Sequence, residues 1–425
     1  MIVAAVRPGH EQALRDLLAQ MNAGPGQADP ANRWLPFGRF EGLHFARFAI
    51  LVDTTHGDLV AHGQAPAALP TYLAFLADCD GSAEAQLDEF AQVAQAGLFD
   101  VFSHCVGCPA GAALGPWLKA RNLPVAAAYA NWPGRTARRV REERAIADAL
   151  ARQVSALGRT GPGQLQAVRA KLVEFVAAER RQGRLLVTPE APTPFGWWLG
   201  NLANVIAIPV LGLVALPFLL LYSPLFIWQL RRRERSDPEF VQAPEAAHVA
   251  ELATFEDRGI TNAFTALGSV KPGLFRRYLV IVLVALLDYA ARHIYGRGHL
   301  TRVQTIHFAR WVFLDDKRRL LFASNYDGIL ESYMDDFINK VAWGLNLVFS
   351  NGVGYPRTDW LVKGGARNSQ AFKNYLRRHQ VANSVWYKAS PGLSAMDLAR
   401  HGRIREGLER LAMSDGEIED WLRLM

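Results

Sequence analysis

The stretch LHFARF at residues 43–48 decides the fold, because it returns almost unchanged as IHFARW at residues 306–311. The repetition continues around it. Residues 80–109 match residues 327–356 without a gap, and both blocks open with Asp-Gly and end with a proline. A repeat with so long a period indicates a duplicated domain and not a solenoid of short repeats. The sequence therefore predicts two structurally similar halves.

Each half shows the same order of hydrophobic patterns. In the first half, short apolar strand patterns at residues 2–6, 43–52 and 72–77 surround one helical stretch, and a longer helical pattern follows at residues 82–102. With a last strand at residues 125–129, the order is βαββαβ, that of a ferredoxin-like unit. The sheet of such a unit leaves one face uncovered. Two tandem units can cover each other, so we predict an α+β protein built as an internal pseudo-dimer.

The same patterns predict the domain boundaries. We expect a first ferredoxin-like repeat with a trailing helix at residues 1–157 and a basic helical connector at 158–195. A membrane-associated apolar segment follows at 196–235, a linker at 236–262, and the second repeat with its own trailing helix at 263–425. A chain of 425 residues is long enough to give each repeat its own core.

The charge balance indicates which partners to expect. The formal net charge is +7, and the basic residues occur in clusters, one of which, Arg231, Arg232 and Arg233, directly follows the apolar segment. Such clusters suit anionic headgroups or nucleic acid phosphates. No aromatic-basic nucleic-acid motif is present, so we predict membrane lipids and no nucleic acid as partners. The sequence leaves the oligomeric state open.

Residues 196–230 form the most apolar part of the chain and carry no charged side chain. About 20 such residues suffice to span a bilayer. Trp197, Trp198 and Trp228 lie near the two ends, where aromatic side chains meet the membrane interface. Prolines inside the segment and basic flanks on both sides favour a re-entrant or two-helix hairpin, inserted from the cytoplasmic face of the cell membrane. A buried core hairpin in a soluble protein is the alternative.

The repeated polar residues are the first candidates for chemistry. His307 and Arg310 lie on a predicted strand, and alternation places the arginine on the face opposite Ala309. Asp327 closes the next strand, where a carboxyl group could share a proton or serve as an acid or base. The alternative is structural, since Asp-Gly commonly ends a strand and an acidic residue stabilises the first turn of a helix. No metal site is predicted.

Cys105 and Cys108 form a CxxC sequence, which is a candidate redox pair or half of a metal site. The matching loop of the second half contains Gly352 and Tyr355 at these positions. The loop itself therefore does not require thiols, and a purely structural turn is the alternative.

The duplicated ferredoxin-like plan, with Asp327-Gly328 after a strand, resembles the dimeric α+β barrel superfamily and, distantly, its dye-decolourising peroxidases. The resemblance implies haem as a cofactor. It also implies Asp327 and Arg310 as catalytic residues, in acid-base and charge-stabilising roles. His307, His379 and His401 are then the candidate haem-contacting histidines.

Two functional hypotheses follow. The first is a membrane-attached oxidoreductase of the haem-peroxidase type, which acts on a small lipophilic substrate held in a pocket between the two sheets. The second is a non-catalytic protein that binds lipid or organises a membrane, in which the repeated residues are structural. The sequence specifies neither a substrate nor an electron donor.

Overall fold

The computed structural model describes residues 1–66, 69–157, 163–189, 192–239, 242–295, 300 and 303–425. Its class is α+β, as predicted. The elements of the first part of the chain are β1 (Ile2–Ala5), α1 (Glu11–Gln20), β2 (Asn22–Gly24), β3 (Gln27–Ala28), β4 (Leu43–Leu51), α2 (His56–Ala61), β5 (Tyr72–Cys79), α3 (Ala83–Val93), α4 (Gln95–Phe102), α5 (Leu114–Ala120), β6 (Ala127–Ala130), α6 (Ala137–Leu157) and α7 (Leu165–Arg181).

A single long helix then separates these elements from a second group. The remaining elements are α8 (Phe195–Ser236), α9 (Ala246–Phe255), β7 (Thr261–Ser269), α10 (Leu274–His293), β8 (Ile306–Leu314), β9 (Arg319–Asp327), α11 (Leu330–Phe349), β10 (Thr358–Asp359), β11 (Lys363–Gly364), α12 (Ser369–His379), β12 (Asn383–Lys388), α13 (Ala395–Glu409) and α14 (Asp415–Leu422). Three short 3-10 helices add Phe37–Arg39, Gly111–Ala113 and Gly365–Arg367.

Eight of these strands form two four-stranded antiparallel sheets, and the pairs β2-β3 and β10-β11 form two small separate sheets. The first has the order β1-β5-β4-β12 and the second β6-β8-β9-β7. In the first sheet Trp386 of β12 pairs with Arg47 of β4, and in the second Ala128 of β6 pairs with Arg310 of β8. The last strand of each predicted repeat therefore belongs to the sheet of the other repeat.

This exchange corrects the prediction that each repeat closes its own four-stranded sheet. Alternation along β6 and β12 specifies which side of the strand is buried, but not which strand lies beside it. The pairing instead depends on the long connections after Phe102 and after Phe349, which carry each last strand across to the other sheet. The ferredoxin-like description of the halves remains a prediction.

The two sheets pack face to face. Side chains from both of them form one buried cluster, with Ala49, Leu51 and Leu76 from the first sheet against Val312 and Leu321 from the second. Each sheet covers its other face with helices and builds a separate aromatic and aliphatic core there. The molecule is thus layered as helices, sheet, sheet and helices.

The apolar segment forms one continuous helix, α8, so the prediction of a two-helix or re-entrant hairpin was wrong. Pro209, Pro217 and Pro224 lie within this helix without ending it. A proline removes one backbone hydrogen bond, and the hydroxyl of Ser223, just before Pro224, donates to the carbonyl of Leu220 within the helix. With 42 residues, α8 is about 63 Å long.

Helix α8 lies along the folded body and does not lead away from it. The Tyr289 hydroxyl of α10 donates to the carbonyl of Val205 over 3.1 Å, and the rings of Phe226 and Phe275 lie 5.4 Å apart. The N-terminal part of α8 thus contacts the C-terminal part of α10, and the C-terminal part of α8 contacts the start of α10. The two helices are therefore antiparallel. Among the described helices, α8 alone is long and apolar enough to cross a membrane, and its most apolar window has no buried residue.

The predicted helical connector contains the helix α7, as expected, whereas the predicted linker also contains a helix, α9. The boundary at 157/158 adjoins residues 158–162, which lie outside the described residues, as do 190–191 and 240–241.

Candidate functional site

Two histidine-aspartate pairs occupy matching positions in the two halves. Nε2 of His307 lies 2.7 Å from Oδ1 of Asp327, and Nε2 of His44 lies 3.0 Å from Oδ1 of Asp80. Each histidine sits in a β-bulge, where two residues of its strand face one residue of the neighbouring strand. The bulge turns each imidazole toward the carboxylate at the end of that neighbouring strand.

The second carboxylate oxygen of each pair holds a helix. Oδ2 of Asp327 accepts the backbone N–H of Ala395 at the start of α13, over 2.7 Å. Oδ2 of Asp80 accepts the N–H of Ala137 at the start of α6, over 2.9 Å. A carboxylate at a helix N-terminus satisfies a free donor and complements the helix dipole. Both pairs therefore fasten the helix that follows an exchanged strand, which is a structural task.

We expect Asp327→Asn to cost about 1–3 kcal/mol of stability, because an amide keeps the volume but loses acceptor capacity in a buried network. The Thr261 hydroxyl also donates to Asp327, over 3.0 Å, so the substitution disturbs three donors. The matched control is Asp80→Asn. Its side chain is 28% exposed, against 10% for Asp327, so water can replace part of the loss. Denaturant unfolding measures the free energy of unfolding of both variants, and we expect the larger decrease for Asp327→Asn. An equal or larger decrease for Asp80→Asn would contradict this account.

The repeated arginines cross between the sheets. Arg47 donates to the carbonyl of Phe264 over 2.8 Å and to the carbonyl of Ser324 over 3.2 Å. Arg310 donates in the opposite direction, to the carbonyl of Ala77 over 3.0 Å and to the carboxylate of Asp78. Loss of hydration on burial lowers the pKa of Arg47 to about 9. The arginines thus join the two sheets through backbone carbonyls.

Asp327 and Arg310, the predicted catalytic pair, have different partners in the structure. Asp327 binds His307 and the start of α13, whereas Arg310 binds the first sheet. Their described interactions do not join them to each other. Of the residues predicted to be catalytic or to contact haem, the structure brings His307 and Asp327 into contact.

The other two candidate histidines lie elsewhere. His379, at the end of α12, is buried, and its Nδ1 lies 2.9 Å from the carbonyl oxygen of Tyr375. Its Nε2 lies 3.7 Å from Asp58, and burial lowers the pKa of the imidazole. His401 is buried in α13, and burial lowers its pKa as well. Each histidine therefore belongs to a separate part of the molecule.

The space beside these histidines does not fit a haem. The cavity that His307 and His44 line has a volume of about 40 Å³, and the one beside His379 about 30 Å³. Such volumes hold a few waters, whereas cofactor sites measure about 300–1,000 Å³. The helix side of the second sheet is filled by aromatic rings such as Tyr326 and Tyr333, stacked 4.1 Å apart. Within the described residues, no group of three or more His, Cys, Asp or Glu could hold a metal ion.

The two cysteines of the CxxC sequence are both free thiols. Burial raises the pKa of Cys105 to about 12 and also raises that of Cys108. Since the thiolate is the reactive form, this environment opposes redox chemistry at neutral pH.

We therefore expect slow alkylation of Cys105 and Cys108 in the folded protein at pH 7, with a rate that rises with pH and shows no plateau below about pH 9. Mass spectrometry of iodoacetamide-treated protein measures this rate for each thiol. A thiol that reacts at pH 7 faster than an unfolded control would contradict the expected protonation. Urea-unfolded protein supplies that control.

The predicted headgroup residues surround the two ends of α8. The side chains of Trp197, Trp198 and Trp228 are all more than half exposed. Arg232 is exposed and lies over the ring of Trp228 at 5.4 Å. The other two arginines are partly engaged within the protein, Arg231 with Glu234 and Asp359, and Arg233 with Gln229 and the ring of Phe275.

Two acidic residues that sequence reasoning missed fasten the C-terminal end of α8. Glu234 is 1% exposed and accepts the backbone N–H groups of Trp360 and Leu361 over 3.0 and 2.7 Å. Asp237 accepts from the buried Lys271 and Arg276 over 2.6 and 2.8 Å. The one feature of the sequence that could have indicated such a role is Glu234, a single glutamate inside a run of arginines.

The N-terminal approach to α8 is fastened as well. Thr188 donates to the buried Glu142 of α6 through its backbone N–H over 2.8 Å and its hydroxyl over 2.6 Å. Its carbonyl accepts from Arg405 of α13 over 2.6 Å. The seven Cα–Cα steps from Thr188 to Phe195 span about 25 Å at most. Both ends of α8 are therefore tied to the same folded body.

The exposed surface of α8 and α10 is consequently the largest apolar feature of the described residues. Between residues 195 and 228, the partly buried residues of α8 recur at helical spacing, at Asn201, Val205, Ile208, Ala215 and Ser223, and the other residues are exposed. From Gln229 onward the helix enters the body, where Leu230 and Glu234 are buried. On α10 the exposed apolar side chains form one stripe, Leu274, Tyr278, Val282 and Leu286. Exposed apolar surface of this extent is typical of a membrane or protein contact. The fold and this surface together define an α+β protein that carries one long apolar helix on its exterior.

No protein-family model matches this chain, and no curated protein or solved structure proved similar to it. The resemblance to dye-decolourising peroxidases therefore stays a prediction.

Proposed function

We propose that this is a monotopic membrane protein that binds lipid or organises a membrane without catalysing a reaction. In this proposal α8 and the exposed stripe of α10 lie in the apolar layer of one leaflet, and the sheets remain in the adjoining water. The observation that carries the proposal is that α8 is exposed and apolar although both of its ends are fastened to one body.

The fastened ends argue against a full crossing. A span would put Phe195 and Ser236 on opposite sides of a hydrocarbon core about 30 Å thick. The chain before α8 packs through Thr188 on α6 and α13, and the chain after it packs through Asp237 on α10. The starts of α6 and α13 are bound to Asp80 and Asp327 at the ends of the two sheets, and α10 packs on β6 of the second sheet. A crossing would have to separate these helices, at the cost of buried hydrogen bonds and ion pairs.

The length of the apolar segment supports the same arrangement. Residues 196–230 extend about 52 Å as a helix, well beyond the thickness of the hydrocarbon core. A helix that lies in the plane of the membrane has no such length limit, and apolar side chains on its outer face enter the acyl region. The basic residues at both ends favour the cytoplasmic leaflet.

Cysteine labelling tests this proposal directly. Gly196→Cys and Arg235→Cys mark the two ends of α8, and a membrane-impermeant maleimide is applied to sealed inside-out and right-side-out vesicles. We expect both cysteines to be labelled in the same vesicle orientation only. The unsubstituted chain measures background labelling of the native thiols. Labelling of the two positions from opposite sides would refute the monotopic arrangement.

Removal of the helix tests the attachment itself. Replacing residues 196–230 with a flexible Gly-Ser linker of equal length should release the protein from membranes. Alkaline extraction and density-gradient flotation measure this release. The matched control replaces the undescribed connector residues 158–162 with Gly and Ser, and we expect it to stay with the membrane. A linker variant that still floats with lipid would show that other surfaces attach the protein.

The haem-peroxidase hypothesis stays a separate prediction and does not enter this proposal, since the space beside His307 and His379 does not fit the cofactor. A visible spectrum of the detergent-purified protein with added haemin tests it. A Soret band that His379→Ala or His401→Ala abolishes would restore the hypothesis.

A further inference from the structure

The start of α10 borders a basic cleft that none of the preceding interactions fills. The cleft has a volume of about 410 Å³. Five basic side chains line it against one carboxylate, that of Asp315: Lys271, Arg277, Lys317, Arg318 and Arg319. Apolar side chains, among them the exposed Leu274, form the rest of the lining. This composition suits an anion attached to an apolar group.

Arg319 is the residue that most requires such an anion. Its side chain is 2% exposed, and its Nε donates to Asp315. Its Nη1 and Nη2 atoms are buried, and the guanidinium group lies over the ring of Tyr72, to which it is also hydrogen-bonded. Burial of a charged group is costly unless nearby charges compensate it. An anion in the cleft would offset this buried positive charge through space, without direct contact with the Nη atoms.

The N-terminal end of α10 also favours a bound anion. Gly273 begins the helix without a side-chain cap, and the first turn carries Arg276 and Arg277 but no acidic residue. The free N–H groups and the positive end of the helix dipole favour a bound anion there. Burial lowers the pKa of Lys271 to about 8, although Asp237 lies 2.6 Å from its Nζ. The single carboxylate of Asp237 therefore does not balance the positive charges of Lys271 and Arg276 on this side of the cleft.

An apolar groove continues from the cleft along the same helix. Its volume is about 480 Å³, and Ile281, Val284 and Ala285 of α10 form one wall. Leu274 and Arg277 in the cleft precede these residues at helical spacing, so cleft and groove follow one face of α10. Asp315 and Lys317 line both spaces. A ligand that enters the groove can thus keep a polar end in the cleft.

We propose that this face of α10 binds one anionic phospholipid, with its phosphate in the basic cleft and an acyl chain in the apolar groove. The inference deepens the proposed membrane attachment and rests on it, since α10 also carries the exposed apolar stripe. The phosphate would accept hydrogen bonds from the exposed Lys317 and Arg318, close to the buried charge of Arg319. The ligand would fasten the body to a particular lipid, beyond the general contact made by α8.

Thermal unfolding of the full chain in a neutral detergent tests the site. Dioleoyl phosphatidic acid, dioleoyl glycerol and inorganic phosphate are titrated separately. We expect the phosphatidic acid to raise the unfolding temperature by several degrees, since a ligand of the native state stabilises it by mass action. Dioleoyl glycerol lacks the phosphate and inorganic phosphate lacks the chain, so each should act much more weakly.

Two variants with matched controls assign the effect. In the double variant Lys317→Gln/Arg318→Gln, about 30 times more phosphatidic acid should be needed for the same rise in unfolding temperature. The control Arg180→Gln/Arg181→Gln removes the same charge from α7 and should leave that concentration unchanged. Ala285→Trp fills the groove, so phosphatidic acid should then stabilise the protein no better than inorganic phosphate does. Ala247→Trp, the same substitution at an exposed position of α9 outside the groove and cleft linings, is its control.

The outcomes separate the sources of the anion. If inorganic phosphate stabilises the protein as well as phosphatidic acid does, the cleft binds a free anion and the lipid proposal is overturned. If each variant responds like its control, the site lies elsewhere and the proposal also fails. Neither result depends on where α8 lies, which the labelling and flotation experiments decide independently.

Discussion

Neither half of the chain will fold when it is expressed alone. Residues 1–239 contain β1, β4 and β5 but lack β12, and they contain β6 without the β8 strand with which it pairs. Residues 242–425 have the converse defects. Each half would expose the face of its sheet that packs on the other one, together with an unpaired strand edge. We expect each fragment to aggregate and to show no cooperative unfolding transition by circular dichroism.

Co-expression of the two fragments provides the control. Since the break falls at residues 240–241, beyond the end of α8, the exchanged strands can still pair across the two chains. We expect a stable one-to-one complex by size-exclusion chromatography in detergent. A monodisperse single fragment with a cooperative transition would contradict the interdependence of the halves.

The second large effect should follow from Glu234→Ala. This carboxylate accepts two backbone N–H groups, the hydroxyl of Thr358 over 3.2 Å and Arg231 over 2.7 Å. Removal leaves buried donors without an acceptor and takes from Arg231 one of its two carboxylate partners, with Asp359 remaining. Each of these defects costs about 1–3 kcal/mol, and together we expect a loss of about 3–5 kcal/mol. Trp360 and Leu361 also have positive φ angles of 55° and 60°, a strained conformation that loses its support.

Denaturant unfolding in detergent measures this loss, and limited proteolysis after Arg235 reports whether the end of α8 detaches. Glu239→Ala is the matched control, because its side chain is 74% exposed and lies 3.8 Å from Arg357. We expect the control to change stability by less than about 0.5 kcal/mol. A Glu234→Ala protein as stable as this control would show that Glu234 does not fasten the helix.

The repeat made much of the fold predictable. Equivalent residues in the two halves do occupy equivalent places, as the pairs His44-Asp80 and His307-Asp327 demonstrate. Alternation also predicted that Arg310 faces away from Ala309, and the arginine indeed points between the sheets. These features depend on local periodicity, which a sequence records directly.

Features that depend on distant partners were not predictable in this way. The exchange of β6 and β12 leaves no mark on the strands themselves, because either sheet offers the same kind of edge. Glu234 lies in a run of arginines that indicates a solvated surface, yet the run enters the body. Arg319 resembles any arginine that follows a turn, and only the packing of Tyr72 and Asp315 around it buries the guanidinium.

The exchange of strands also fixes the order in which the molecule can be completed during translation. Residues 383–388 leave the ribosome after β7, β8 and β9, so the first sheet lacks its edge strand until then. Helix α8 emerges much earlier, while β7, β8 and β9 are still unmade. The nascent chain therefore exposes its most apolar segment before it has a folded body, and contact with a bilayer or a chaperone must precede closure of either sheet.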